Sequence, residues 1–298
     1  MTFILAVNSQ KTTWMLADRR LSVNDLPVKE DACKLMFLKT TDATAILGYA
    51  GLGATLNGNE PADWMSRVLR GRNLPLEHSL WVLAEAIKRE MPRHLLRMSR
   101  KALPTHTVLV SAFVGGEARI YTIDMAFAPD RKHFWFRYTR HVNQAALHVQ
   151  ADLAIGGTGI LPLSTDTAWQ HPLRRLIHAC DRDKVSPFTV ADHLANLNAQ
   201  VHGTVPSVGP HCIVAWRHKD GGGNQKFYSA VAQKVGRCAI PDISNGMDMR
   251  GFIEILAQHH HPTGFGYTRA DGTVVPPPKG NLGADLAALP TQPDETLR

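Results

Sequence analysis

Thr2-Phe3-Ile4-Leu5-Ala6-Val7-Asn8-Ser9-Gln10-Lys11-Thr12-Thr13-Trp14-Met15-Leu16-Ala17-Asp18 opens the chain with two β-rich runs across a short polar turn. Phe3 to Asn8 is apolar, Ser9-Gln10-Lys11 turns, and Thr12 to Asp18 returns with β-branched and aromatic residues. Methionine aminopeptidases trim Met1 before a small residue, which would leave Thr2 with a hydroxyl nucleophile and a free α-amine. That is the minimal equipment for N-terminal nucleophile catalysis, in which the amine is base toward its own side chain. A Met-Thr start is a weak signal by itself, and the residues that follow strengthen it.

Asp18 comes 16 positions after Thr2, and Lys34 comes 16 after Asp18. A loop around Asn24 to Pro27 leads to an apolar run at Ala32–Leu38, and Ala43–Leu47 forms another. Two hairpins side by side can then gather strand ends at one sheet edge. Gly48-Tyr49-Ala50-Gly51-Leu52-Gly53-Ala54 is expected to break the strand before a helix.

These residues resemble the Thr, Asp-x-Arg, Lys and Ala-Gly pattern of proteasome β-subunits, carried here by Thr2, Asp18-Arg19-Arg20, Cys33-Lys34 and Ala50-Gly51. The first two spacings match without a gap, and the glycine segment arrives three residues late, consistent with a longer turn around Thr40-Thr41-Asp42. Ile155-Gly156-Gly157-Thr158-Gly159 resembles the Gly-Ser-Gly that opens the family's third helix. Pro206-Ser207-Val208-Gly209-Pro210 resembles the segment with its second supporting serine. The resemblance spans roughly residues 2 to 235 and is closest to bacterial proteasome homologues of the Anbu and betaproteobacterial type. One departure is Thr204, where the family usually has an aspartate.

The resemblance implies an α+β fold, the four-layer αββα sandwich of N-terminal nucleophile hydrolases, over residues 2–258. It implies Thr2 as nucleophile, with Asp18, Lys34, Gly51, Thr158 and Ser207 as the catalytic set and Arg20 in support. Leu21, Met36, Tyr49 and Gly53 would line the substrate pocket, with small or medium apolar side chains preferred there. The expected activity is that of a self-compartmentalising threonine peptidase acting on unfolded proteins or peptides. The partners implied are copies of the chain in a ring, stacked as a double ring of open stoichiometry, with an ATP-dependent unfoldase left open. The chemistry calls for no cofactor and no metal. Two other readings stand beside it: an amidohydrolase acting on a small amide, and an inert basic ring that binds a partner.

The chemistry accounts for the residue types. An unperturbed α-amine titrates at about 7.7–8.0, close to the optimum for a general base. A cationic Lys34 would lower the pKa of that amine and of the hydroxyl, and Asp18 would hold the ammonium. The Gly51 N–H would donate to the oxyanion, where removal of such a donor costs on the order of 3–4 kcal/mol.

The rest of the chain supplies the layers. A first helix begins at Asn59 or Glu60 and ends near Gly71. A second runs from Leu76 to Arg100, with Leu80, Ala84, Ile87, Met91, Leu95 and Met98 as its apolar stripe and a kink at Pro92. Strands are expected at Thr107–Val114, Ala118–Phe127, His133–Arg140 and Asp152–Ile155, and a helix near Leu161. Ser186-Pro187 signals the start of the next helix, buried through Val190, Leu194, Leu197 and Val201. A hairpin of His211–Lys219 and Gln225–Val231 closes the core, and a short helix covers Met247–Gln258. Residues 259–298, with Pro276-Pro277-Pro278, read as a poorly ordered extension.

Composition fits a cytoplasmic enzyme. The 298 residues suffice to bury about 75% of the unfolded surface. Cys33, Cys180, Cys212 and Cys238 form no disulfide framework, and no apolar run is long enough to span a membrane. The net charge is +7. The cluster Arg67, Arg70, Arg72, Lys88, Arg89, Arg93, Arg97, Arg100 and Lys101 reads first as a solvated helical face. An inner chamber wall attracting acidic chains is a second reading. Without aromatic platforms or groove-reading motifs, the charge argues little for nucleic acid. Cys33 reads as a small buried residue, and consecutive His259-His260-His261 cannot converge on one ion.

Overall fold

A computed structural model describes residues 2–23, 26–51, 60–95, 106–127, 134–140, 151–157, 160–229, 239–252, 267–268 and 274–275. The chain begins β1 (Phe3–Asn8), β2 (Thr12–Asp18), β3 (Leu21–Val23), β4 (Leu26–Lys29), β5 (Leu35–Lys39) and β6 (Ala43–Ala50). Helices α1 (Pro61–Leu69) and α2 (Leu76–Leu95) follow, then β7 (Thr107–Val114), β8 (Glu117–Phe127), β9 (Phe134–Arg140) and β10 (Asp152–Gly157). Next come α3 (Ile160–Thr165), α4 (Gln170–Asp181), α5 (Pro187–Thr204), β11 (Cys212–His218) and β12 (Gly223–Tyr228). The last elements are β13 (Asp242–Ser244), β14 (Met247–Asp248), β15 (Tyr267–Thr268) and β16 (Val274–Val275).

Among the described residues, one sheet has the order β10-β1-β2-β11-β12 and the other β14-β13-β5-β6-β7-β8-β9. Period-two patterning explains how they stack, because successive side chains leave opposite faces of a strand. Ile4, Ala6, Met15, Ala17, Ile213 and Ala215 of the first sheet meet Leu35, Phe37, Ile46 and Leu109 of the second in one buried cluster. The alternate residues Phe3, Leu5, Val7, Trp14, Leu16 and Val214 pack instead against α3, α4 and α5 through Leu163, Leu173, Ile177, Leu194 and Leu197. On the far side, Met36, Leu47, Tyr49, Val108 and Val110 pack under α1 and α2 with Trp64, Met65, Leu80, Leu83 and Ile87. Three apolar layers therefore separate helices, sheet, sheet and helices, the αββα order expected.

Local signals held where side chains act on their own backbone. Ser9 Oγ accepts from Thr12 N at 3.1 Å, tightening the first turn. Ser186 caps α5 by accepting from Thr189 N, with Pro187 in the first turn, and Val190, Leu194, Leu197 and Val201 are all buried. Leu80, Ala84 and Ile87 are the buried stripe of α2, which continues through Pro92; Met98 and the expected helix end at Arg100 lie outside the described residues, and Met91 and Leu95 are placed only as helical backbone.

Several expectations need correction. The two N-terminal hairpins do not lie side by side, because β1–β2 and β5–β6 belong to different sheets stacked face to face. Gly48 does not break β6; it pairs with Leu35 and the strand runs on to Ala50. A Cβ at Gly48 would stand 2.9 Å from Ile4 Cγ2 and 3.2 Å from Leu35 Cδ2, so glycine there allows the sheets to close. The segment around Pro27 pairs as the β3–β4 hairpin rather than forming a loop. The helix expected near Leu161 is two, α3 and α4. Met247–Asp248 is a strand paired with β13, which itself joins β5 in parallel, so the helical turn begins only after it. Of the basic cluster, Arg70 is tied to Asp248 at 2.9 Å. Among the described residues no helix is long and apolar enough to cross a membrane.

Candidate active site

Strand ends from both sheets converge on Thr2. Residue 2 precedes β1, Asp18 ends β2 and Lys34 precedes β5. All three are buried, with relative exposures of 5%, 0% and 1%. Lys34 Nζ donates to Thr2 Oγ1 at 3.1 Å, to Asp18 Oδ1 at 2.9 Å and to the Arg20 carbonyl at 2.6 Å. Three acceptors match the three donors of an ammonium. Burial pulls the Lys34 pKa below the ordinary lysine range, and the neighbouring Asp18 charge opposes that shift.

Asp18 is a hub for backbone donors. Its Oδ1 also accepts from Phe3 N at 2.7 Å, which fixes the residue next to Thr2. Its Oδ2 accepts from Arg20 N at 3.1 Å and from Gly209 N at 3.0 Å. Three backbone N–H donors and one ammonium thereby fix the orientation of the carboxylate.

Arg20 links this hub to the segment after α5. Its guanidinium donates to the Pro206 and Val208 carbonyls, and its Nε to Glu30 Oε1 at 2.7 Å. That clamp presents the backbone of Gly209 to Asp18. A Cβ at Gly209 would stand 2.7 Å from Arg20 Cβ, so a larger residue would push the segment away. The adjacent Arg19, 2% exposed, donates to the Asp31 and Ala32 carbonyls on the approach to Lys34.

The glycine segments fit closely around Thr2. Gly157, at φ +85°, pairs with Phe3, and a Cβ there would lie 2.0 Å from the Thr2 carbonyl oxygen and 3.3 Å from Ala50 Cβ. The end of β6 therefore reaches the Thr2 end of β1. Gly51 follows Ala50 at φ +148°, a backbone conformation that side chains with a Cβ rarely adopt.

The remaining sequence-derived residues divide. Ser207 is half-buried, and among the described residues no hydrogen bond joins it to Thr2, Asp18 or Lys34. The donor to Asp18 from that motif is Gly209. Thr204 ends α5 and donates to the Val201 carbonyl at 3.1 Å, away from the site. Thr158 and Gly53 lie outside the described residues. Of the expected pocket lining, Leu21 and Tyr49 keep 7% and 8% exposure, whereas Met36 has none and packs in the core under α1. Cys33 is buried, with its thiol directed to the Leu35 carbonyl and its N–H to Glu60.

Gly157, Gly209 and His106 complete the surroundings and were not singled out by residue type. Gly157 and Gly209 sit inside the two recognised motifs, but their work is done by backbone atoms. His106 has no motif around it. It is 2% exposed and its Nδ1 is hydrogen-bonded to Tyr49 Oη at 2.8 Å.

No family model matches the chain, and no curated protein matches it. Among solved structures it is similar to Anbu, an ancestral β-subunit, from Yersinia bercovieri, at 13% identity over 76% of this chain and 88% of that one, with a TM-score of 0.48. The helical assembly of the Anbu complex from Pseudomonas aeruginosa gives 13% identity, 76% and 87% coverage and a TM-score of 0.47. A Gly-1 mutant of Anbu from Hyphomicrobium sp. strain MC1 gives 12%, 77% and 89%, and 0.46. These three structures are all of Anbu proteins.

Proposed function

We propose that this protein is a hydrolase of the proteasome-like N-terminal threonine type, which cleaves peptide bonds of unfolded proteins or peptides after Met1 is removed. The observation that carries the reading is the buried Lys34 ammonium, bonded at once to Thr2 Oγ1 and Asp18 Oδ1. An ammonium bonded to a hydroxyl stabilises the developing alkoxide. Thr2 Oγ1 attacks the carbonyl carbon, and its proton passes to the freed α-amine. The Gly51 N–H donates a hydrogen bond to the negatively charged carbonyl oxygen. Collapse breaks the C–N bond, the leaving amine takes the proton, and an ester to Thr2 remains. Water, deprotonated by the same amine, hydrolyses it. Ser207 and Thr158 are assigned to hydrogen bonding around the freed amine.

Residues 2–258 form the hydrolase domain in this reading, with 259–298 as an extension. The active form is a ring of identical subunits, which sedimentation would reveal as a particle of many subunits; a stable monomer at micromolar concentration would reject compartmentalisation. The decisive test is intact mass with turnover. Loss of Met1 and abolished cleavage in Thr2→Ala are expected. Full cleavage by protein that retains Met1 would overturn the mechanism.

A further inference from the structure

We propose that His106, anchored by Tyr49, is a positioning residue that braces the Gly51 peptide. This rests on the reading of Gly51 as the oxyanion donor.

The β6–β7 register ends at Ala50 opposite Thr107, so Gly51 and His106 are the next pair beyond the strand ends. The His106 ring occupies the place where a side chain on Gly51 would begin. A Cβ there would stand 2.5 Å from Nδ1, 2.9 Å from Cε1 and 3.0 Å from Cγ. Glycine at φ +148° has wide conformational freedom, and the direction of its N–H depends on what limits that freedom. An imidazole filling the space where a Cβ would begin excludes the rotations that would bring the peptide into the ring.

His106 is itself fixed from two sides. Its carbonyl accepts from Met125 N at 3.1 Å, and its Nδ1 shares the 2.8 Å hydrogen bond with Tyr49 Oη. The two ring centroids lie 5.9 Å apart at 48°, and Tyr49 in turn packs against Trp64 of α1 at 6.2 Å. Burial raises the Tyr49 pKa, which keeps the phenol neutral and the bond to His106 intact. Tyr49 also lies opposite Lys34 across the β5–β6 ladder, where Tyr49 N donates to the Lys34 carbonyl at 3.1 Å. One chain of contacts therefore runs from α1 through Tyr49 and His106 to Gly51, beside Lys34.

A histidine that merely fills the core would affect only stability, whereas a brace on the oxyanion donor affects the transition state. Tyr49→Phe removes one oxygen and keeps the packing, and His106→Phe keeps a ring without the bond. In full-length, assembled protein each should lower kcat by about 10-fold to 100-fold with KM within twofold, less than complete loss of an oxyanion donor. Affinity for a peptide boronate, whose tetrahedral adduct carries the oxyanion, should fall in parallel. If His106→Phe fails to fold, Tyr49→Phe carries the test. Wild-type kcat and boronate affinity in Tyr49→Phe overturn the brace, as does a change in KM alone, which would make Tyr49 a pocket residue only. Thr2→Ala serves as the separate control. If wild-type protein forms no boronate adduct at Thr2, the hydrolase reading fails first; an adduct lost in Thr2→Ala but unchanged in Tyr49→Phe rejects the brace alone.

Discussion

Lys34 and Thr2 are 32 residues apart in sequence, yet Lys34 Nζ lies 3.1 Å from Thr2 Oγ1 inside the protein. The contact joins the two stacked sheets, since Thr2 leads into β1 of one and Lys34 into β5 of the other. Asp18, on the same sheet as Thr2, anchors the lysine at 2.9 Å. Any shift of one sheet against the other would therefore disturb the nucleophile and its cation together.

Activity should respond to these two residues as one unit. Thr2→Ala and Lys34→Ala are each expected to reduce kcat by about three orders of magnitude or more, and the double variant by no more than the worse single. Thr2→Ser, which keeps hydroxyl and amine, should retain measurable turnover. Steady-state kinetics on the four variants checks this; additive losses would separate the two roles.

Asp18→Asn is expected to lower stability by about 3–5 kcal/mol, because it leaves a buried ammonium without its counter-charge. The Asp18 and Lys34 side chains are 0% and 1% exposed, so water cannot replace the lost partner. The amide oxygen cannot accept all the bonds from Phe3, Arg20, Gly209 and Lys34. Urea unfolding of wild type and variant measures the difference, and a change below about 1 kcal/mol would refute the estimate.

The pH profile should bend early on its alkaline side. Burial lowers the Lys34 pKa, so the ammonium loses its proton below the ordinary lysine range and activity falls there. Asp18→Asn removes the charge that opposes this shift and should move any residual limb lower still. Linkage gives the matching stability effect: between the lowered pKa and the unfolded value, the unfolded chain holds more protons at this site, so its contribution to stability rises with pH. Subtracting the pH–stability curve of Lys34→Met isolates that slope from tyrosine and cysteine titrations. An alkaline limb at or above the ordinary lysine range would contradict the assignment.

Gly157→Ala should displace Thr2. The new Cβ would be placed 2.0 Å from the Thr2 carbonyl oxygen at φ +85°, so the backbone must move, at a cost of about 1–3 kcal/mol for the φ alone. Turnover should fall at least tenfold while Gly221→Ala, at φ +99° with nothing within 4 Å, loses only stability. Equal activities in the two variants would show that Gly157 has no special fit to Thr2.

The local sequence determined the strands that run as continuous β-rich stretches, buried nearly throughout. Phe3–Asn8, Thr12–Asp18 and Thr107–Val114 have the bounds their residues suggest, because every second side chain enters a different apolar layer. Ser186-Pro187 likewise marks the start of α5 through its own cap. The spacing of Thr2, Asp18 and Lys34 was legible because their side-chain chemistry is distinctive. Tertiary structure decided the rest. β13 and β14 are too short to show a period and exist through pairing with β5 and each other. Gly48 stays in its strand because it pairs with Leu35 and Leu109, and Ile4 and Met15 from the opposite sheet leave no room there for a side chain. Gly209 bonds Asp18 because the Arg20 clamp turns its backbone N–H toward the carboxylate. Every residue except proline has such an N–H, so residue type carries no mark of its use; only the approach of two distant segments selects it.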